Sequence, residues 1–216
     1  MSAPWRKTIA LAVTGASGAQ YGMRLLQLLI AADCRVYLMI SKAAQMVLAV
    51  ETDWQMPGRT AAQQTYLNQR LSARAGQLLV FGREDWTAPV ASGSSPVDAM
   101  VVCPASTGVL SAIATGASNN LIERAADVAL KERRSLIVVP RETPLSAVQL
   151  ENMLALTRMG AVVLPASPGF YHRPTQVDDL IDFIVARILN LLDVPQQLLP
   201  PWGYAETGSG DERGPC

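Results

Sequence analysis

The chain has 216 residues, with 18 Lys plus Arg against 18 Asp plus Glu, so its formal net charge is zero. That length fits one α/β domain with a core large enough to fold alone, and the even balance leaves no basic footprint for nucleic acid and no charged tail. Only 17% of residues are charged and 50% are apolar, which fits a deeply buried core or, the favoured reading, a homo-oligomer whose helices also pack between subunits.

Residues 1–7 lead into the apolar run 8–14, TIALAVT. It is too short to span a membrane and enters a glycine turn, not a signal-peptide cleavage site, so it reads as a first buried parallel strand. Gly15-Ala16-Ser17-Gly18 makes the turn, and 19–32 carries Leu25, Leu26, Leu28 and Leu29 on a helical period. Residues 35–40 (RVYLMI) are a second strand, Ser41-Lys42 ends it, and 43–50 reads as helix. The stretch 52–97 is less regular, with a polar helix over 61–74, a short strand over 78–81 and a loop over 92–96. Residues 99–103 (AMVVC) form another buried strand, followed by Pro104-Ala105-Ser106-Thr107-Gly108 and an amphipathic helix over 119–133. A strand over 136–140, a helix over 146–158, a last strand over 161–165, a loop over 168–174 and a closing helix over 175–192 complete the domain. The expected organisation is one α/β domain over 1–192 and a Pro/Gly-rich tail without regular structure over 193–216.

Five or six strands alternating with helices imply a three-layer α/β/α fold, a doubly wound parallel sheet of Rossmann-like (flavodoxin-like) type. Such sheets bind ligands at the carboxyl ends of their strands. Polar residues crowd there: Ser17, Ser41, Ser106, Thr107, Arg141, Glu142 and Tyr171. Helix capping by Ser and Thr explains part of this pattern, but not Arg141-Glu142. The glycine turn is not G-x-G-x-x-G, because Ser17 takes the middle position, and Ser41 stands where a ribose-binding acid belongs. A mononucleotide is favoured over NAD, since a helix start with small residues suits one phosphate or a flat ring.

Cys34, Cys103 and Cys216 are far apart and odd in number, with no C-x-x-C, so neither a zinc site nor a disulfide framework is encoded. A reducing, cytoplasmic compartment follows. The lone histidine, His172, rules out a His-based metal cluster and any two-histidine relay, and reads as a hydrogen-bonded structural residue.

Seven segments are more specific in combination: TGASGAQYGMRLL, ISKAA, ASGS, VVCPASTG, NNLIERAADVALKERR, VPRETPL and PGFYHRP. In this order and spacing, from about residue 8 to 192, they resemble the UbiX-type flavin prenyltransferases, with RAADVALKERR and VPRETPL the most discriminating. The resemblance implies transfer of a dimethylallyl group from dimethylallyl (mono)phosphate to N5 and C6 of FMN. It further implies that a UbiD-type decarboxylase uses the product, as in ubiquinone biosynthesis, and that the enzyme is a metal-independent homododecamer. Gly15, Ala16, Ser17, Ser41, Ser106, Thr107, Gly108, Val109 and Arg141 are then expected to hold FMN. Tyr171 and Arg187 would hold the donor phosphate with Arg124 and Lys131, partly across a subunit interface. Glu142 and Ser17 would handle protons, and Glu51 and Trp86 would line the prenyl pocket. The segment 54–90 and the tail depart from the family pattern.

The chemistry agrees. An allylic phosphate separates into a phosphate anion and an allyl cation, so departure needs positive charge, which Arg124, Lys131, Arg187 and Lys42 can supply. Arg124 and Lys131, seven apart, share a helix face, although an Asp127–Lys131 pair would make that face an ordinary solvated one. Trp86 can face the cation or simply pack. Glu142 can carry a proton or merely pair with Arg141. No Asp-rich diphosphate motif occurs, which fits a monophosphate donor and no metal. The alternatives are an FMN-dependent cysteine decarboxylase, disfavoured because no histidine lies in the matching region, and a flavin carrier without catalysis.

Overall fold

Every residue of β1 (Thr8–Val13) is buried. A strand this apolar needs cover on both faces, and the alternation of its side chains divides the cover. Ile9, Leu11 and Val13 enter one core with Leu25 and Leu26 of α1 (Ala19–Ala31) and Ile184 of α7 (Val177–Leu191). Ala10 and Ala12 enter the other with Leu110 and Ile113 of α4 (Thr107–Ala114) and Ala125 and Ala126 of α5 (Leu121–Lys131). Two cores, one on each face of the sheet, make the α/β/α sandwich.

The computed structural model describes residues 5–200. Among them, β1 is joined by β2 (Arg35–Ile40), β3 (Leu78–Phe81), β4 (Ala99–Ala105), β5 (Ser135–Pro140) and β6 (Val162–Val163) in one six-stranded sheet of order β3-β2-β1-β4-β5-β6. All pairings are parallel. The chain winds outward from β1 through β2 and β3, then returns to start again at β4 on the other side of β1. That reversal opens a crevice at the carboxyl ends of β1 and β4.

The glycines of the first turn serve close approach more than flexibility. A Cβ on Gly22 would lie 2.3 Å from the Cys103 carbonyl oxygen, and one on Gly15 2.4 Å from Ala43 Cβ. Gly22 therefore lets α1 lie against β4, and Gly15 lets the turn meet α2 (Lys42–Glu51). Gly18 is required for a different reason: its φ of 96° is left-handed.

Three expectations change. Residues 107–114, expected only as the sequel of a turn, form α4; its small side chains leave little periodicity, and its signals were Ser106 before it and Gly116 after it. The last strand shrinks to Val162–Val163 at the sheet edge, although the N–H groups of Leu164 and Ala166 still donate to the Val138 and Pro140 carbonyls of β5. His172 is not hydrogen-bonded; neither ring nitrogen has a partner, and the ring stacks on Phe183 at 5.5 Å. The remaining helices, α3 (Thr60–Leu71) and α6 (Ala147–Arg158), fall close to expectation, α6 opening on a capping box of Ser146 and Gln149.

Residues 193–200 form no helix or strand, yet Val194 is buried and Leu198 packs on the core. The packed chain thus runs past the expected boundary at 192, and the rest of the expected tail, with Cys216, lies outside the described residues. Cys34 and Cys103 are free and buried. Among the described residues no helix is long and apolar enough to cross a membrane, and no cluster of His, Cys, Asp and Glu could hold a metal ion.

Candidate active site

Thr14 ends the first strand segment with no exposed surface. Its hydroxyl donates to the Pro104 carbonyl at 2.7 Å and accepts from the Ser106 N–H at 2.7 Å. This clamp ties β1 to β4 at the crevice and fixes the start of α4. Ser106 is the N-cap of α4, but its side chain makes no capping bond. The first-turn amides of Thr107, Gly108 and Val109 donate to no described residue. A Cβ on Gly108 would meet nothing within 4 Å. Unpaired amides, the positive end of a helix and open space suit an anion. Ser41 differs, because its hydroxyl already accepts from Ala44 N–H at 3.0 Å and caps α2.

A cavity of about 450 Å³ opens beside this helix end. Gly15, Ser41, Ser106 and Val109, all expected to hold flavin, line it, as do Ile40, Phe81, Leu121 and Ile122 on its apolar walls. Asn120 lines it too. Asn120 Oδ1 accepts from the N–H groups of Ile122 and Glu123, and its Nδ2 donates to Glu123 Oε1 at 2.6 Å. Glu123, only 8% exposed, also accepts from Asn119 N–H at 2.8 Å. Sequence reasoning missed this pair; the N-cap residue followed three positions later by Glu was the available signal.

Across the glycine turn lies a second cavity of about 480 Å³, lined by Ser17, Gly18, Gln20, Tyr21, Glu51 and Arg141. Gly18 has no side chain to cap α1, and Glu51 does so from the end of α2. Its carboxylate accepts from Gly18 N–H at 2.8 Å and Ala19 N–H at 3.3 Å, while Gln20 Nε2 donates to its backbone carbonyl at 3.1 Å. Burial pushes the Glu51 carboxyl up, but hydrogen bonds from Ser17, Gly18 and Ala19 and the charge of Arg141 outweigh it and hold the group below its ordinary value. The helix start that suited a phosphate on sequence grounds is therefore already filled by a carboxylate, and the open anion position is at α4. Arg141 Nε donates to the Ser17 carbonyl at 3.0 Å, bridging β5 to the glycine turn. Glu142 is exposed and forms no ion pair with Arg141; its Oε1 accepts from Thr143 N–H at 3.1 Å.

Other expected residues are not gathered at this edge. α5 starts at the first cavity with Asn120 and runs back to Lys131, roughly 16 Å away at 1.5 Å per residue, where Lys131 pairs with Glu132. Arg187 is exposed and lies one turn before Leu192, whose carbonyl accepts from Lys7 just ahead of β1, at the opposite edge of the sheet. Arg124 donates to the Ala91 carbonyl at 3.1 Å and to Asp127 at 2.8 Å, so Asp127 pairs with Arg124 and not with Lys131. Trp86 is 49% exposed and lines neither cavity. Tyr171 is exposed in the loop after β6.

The flavoprotein family model matches residues 4–189. The flavin prenyltransferase UbiX of Pseudomonas aeruginosa is 62% identical over 203 residues, covering 94% of this chain and 96% of that protein. The chain belongs to the UbiX-type flavin prenyltransferase family. Solved members of the family superpose closely. AnUbiX (PadA1), in complex with FMN and dimethylallyl pyrophosphate, matches at a TM-score of 0.81 and 39% identity over 93% of this chain and 100% of its own. The dodecameric FMN-dependent UbiX-like decarboxylase from Escherichia coli O157:H7 matches at 0.80 and 37% over 92% and 100%.

Proposed function

We propose that this chain is a flavin prenyltransferase, moving a dimethylallyl group from a dimethylallyl phosphate ester to FMN. The observation that carries the reading is the pair of cavities astride the glycine turn, one beside unpaired helix-end amides, the other walled by Ser17, Glu51 and Arg141. A relative solved with FMN and dimethylallyl pyrophosphate supports it.

The residues present fit FMN. The amides opening α4 and the space at Gly108 would receive its phosphate and the apolar walls of the first cavity its ring, with Gly15, Ala16, Ser17, Ser41, Ser106, Thr107, Val109 and Arg141 as the holding set, Ser17 and Arg141 reaching it from the second cavity. Bound there in its reduced form, the flavin would supply the nucleophilic atoms N5 and C6. Glu51, held ionised by its hydrogen bonds, favours positive charge developing on the allyl group beside it. Trp86, which lines neither cavity of its own chain, would add an aromatic face from a neighbouring copy. Tyr171, Arg124, Lys131 and Arg187 hold the departing phosphate, and Glu142 and Ser17 move the proton. Because Lys131 and Arg187 lie toward the amino edge of their own sheet, this reading needs a neighbouring copy to bring them, hence a homo-oligomer. The dodecameric relative supports a closed assembly of that kind. The flavin-binding unit is the domain over 1–192, on which Val194 and Leu198 also pack, the enzyme works without metal in the cytoplasm, and its product passes to a UbiD-type decarboxylase, as in ubiquinone biosynthesis.

The test is the mass of the bound flavin after incubation with dimethylallyl monophosphate or diphosphate, using oxidised and reduced FMN. Gain of one dimethylallyl unit is expected with reduced FMN. An unchanged flavin with carbon dioxide released from a cysteinyl peptide would favour the decarboxylase; neither event would favour the carrier. Within the transferase reading, Glu142→Gln keeps FMN affinity and lowers single-turnover prenylation by about 10²–10⁴-fold; an unchanged rate moves the proton role to Ser17.

A further inference from the structure

We propose that the Tyr21 hydroxyl is a substrate-binding group of the second cavity, donating a hydrogen bond to the phosphate of the allylic donor. The identity of that ligand rests on the transferase reading above. Tyr21 lines the cavity together with Ser17, Glu51 and Arg141. One side of its ring packs on the core between the sheet and α1. The ring also lies against the glycine turn, where a Cβ on Gly18 would come within 3.0 Å of it and 3.8 Å from Arg141 Cγ. The side chain is thus held from two directions next to Arg141.

Its hydroxyl makes no hydrogen bond with any described residue, and it is not sealed in the interior. Half-buried phenols normally find a partner; within the described chain this one has none, which leaves it to whatever occupies the cavity. Burial pushes the phenol up, Cys103 adds to that, and Arg141 opposes it, with a net rise above the ordinary value. The hydroxyl therefore stays protonated at neutral pH and is available as a donor. Glu51 in the same cavity repels a phosphate. A neutral donor beside Arg141 offsets that repulsion and sets the direction of the ester without adding charge to neutralise Glu51. The FMN phosphate does not compete for this group, because the unpaired amides of α4 and the space at Gly108 lie with the other cavity.

The experiment is calorimetric titration of FMN-loaded protein with dimethylallyl phosphate, for wild type and Tyr21→Phe, followed by steady-state prenylation. The substitution keeps the ring and its packing. Loss of a hydrogen bond to a charged group predicts a donor Kd, and a KM, raised about 10- to 100-fold, with kcat, FMN affinity and Tm close to wild type. Equal donor affinity in the two proteins overturns the proposal, as does a variant that loses FMN affinity or Tm instead. A wild type that binds the ester but leaves FMN unchanged counts against the transferase reading alone, since the calorimetric comparison still decides the role of Tyr21.

Discussion

Thr14→Val removes one oxygen from the crevice and little else. Valine matches threonine in shape, so no cavity opens. The Pro104 carbonyl loses the hydroxyl but keeps the Thr14 N–H at 3.2 Å, a net loss of about 0.5–1.5 kcal/mol. The Ser106 N–H loses the acceptor it has at 2.7 Å; an unsatisfied part-buried donor costs about 1–3 kcal/mol. The buried methyl that replaces the hydroxyl returns about 0.8 kcal/mol. The expected net destabilisation is about 1–3 kcal/mol, and at about 2–4 °C per kcal/mol for a chain of this size the Tm falls by roughly 2–12 °C. Thermal unfolding without flavin, at one fixed protein concentration, reads this directly. Because the same hydroxyl fixes the start of α4, FMN affinity by fluorescence titration should fall at least fivefold, on the order of 1 kcal/mol. Thr14→Ser keeps both hydrogen bonds and should retain FMN affinity. A Thr14→Val protein with wild-type Tm and wild-type FMN affinity would refute the clamp.

Gly108→Ala should act with opposite signs: no atom lies within 4 Å of the new methyl, so the flavin-free chain gains up to about 1 kcal/mol of helix propensity, while FMN affinity falls at least about tenfold, or 1.4 kcal/mol. Unchanged FMN binding would remove Gly108 from the phosphate cradle. Glu51 has its carboxyl lowered in the folded state, so its contribution to stability is present above the unfolded carboxylate value of about 4.3 and is lost as pH falls through the folded value. Glu51→Gln should therefore flatten the acid arm of a Tm-against-pH curve, and parallel curves for variant and wild type would argue against the cap. Lys131→Ala and Glu142→Gln, each impaired alone, should recover prenylation when co-expressed, because mixed assemblies contain sites with both residues intact; co-expressed protein as inactive as either parent would mean that each chain builds its own site.

The order of strands and helices was legible because its signals are local. An all-apolar strand, a capping box at Ser146 and left-handed Gly18 are each written within a few neighbouring residues. The site was legible in part. Ser41 and Ser106 look alike in sequence, each following a strand and opening a helix. Ser41 caps α2, whereas Ser106 leaves its helix end open beside Gly108, and that difference needs three-dimensional geometry. Glu51 was expected at the prenyl pocket, and it also caps a helix in another part of the chain.

By itself the sequence determined the α/β class, the parallel winding, the exclusion of a dinucleotide loop by Ser17 and Ser41, and membership of the family. Only the tertiary structure decided which distant residues meet. Thr14 and Ser106 are 92 positions apart, and Ser17 and Arg141 124 apart, yet each pair is hydrogen-bonded. The same structure sends Lys131 to the far end of α5, away from the cavity its helix begins at. Periodicity and capping report forces acting within a turn or two of chain. Contacts across the crevice depend on β1 lying beside β4, and that strand order follows from burying every apolar face at once, a property of the whole chain and of no single segment.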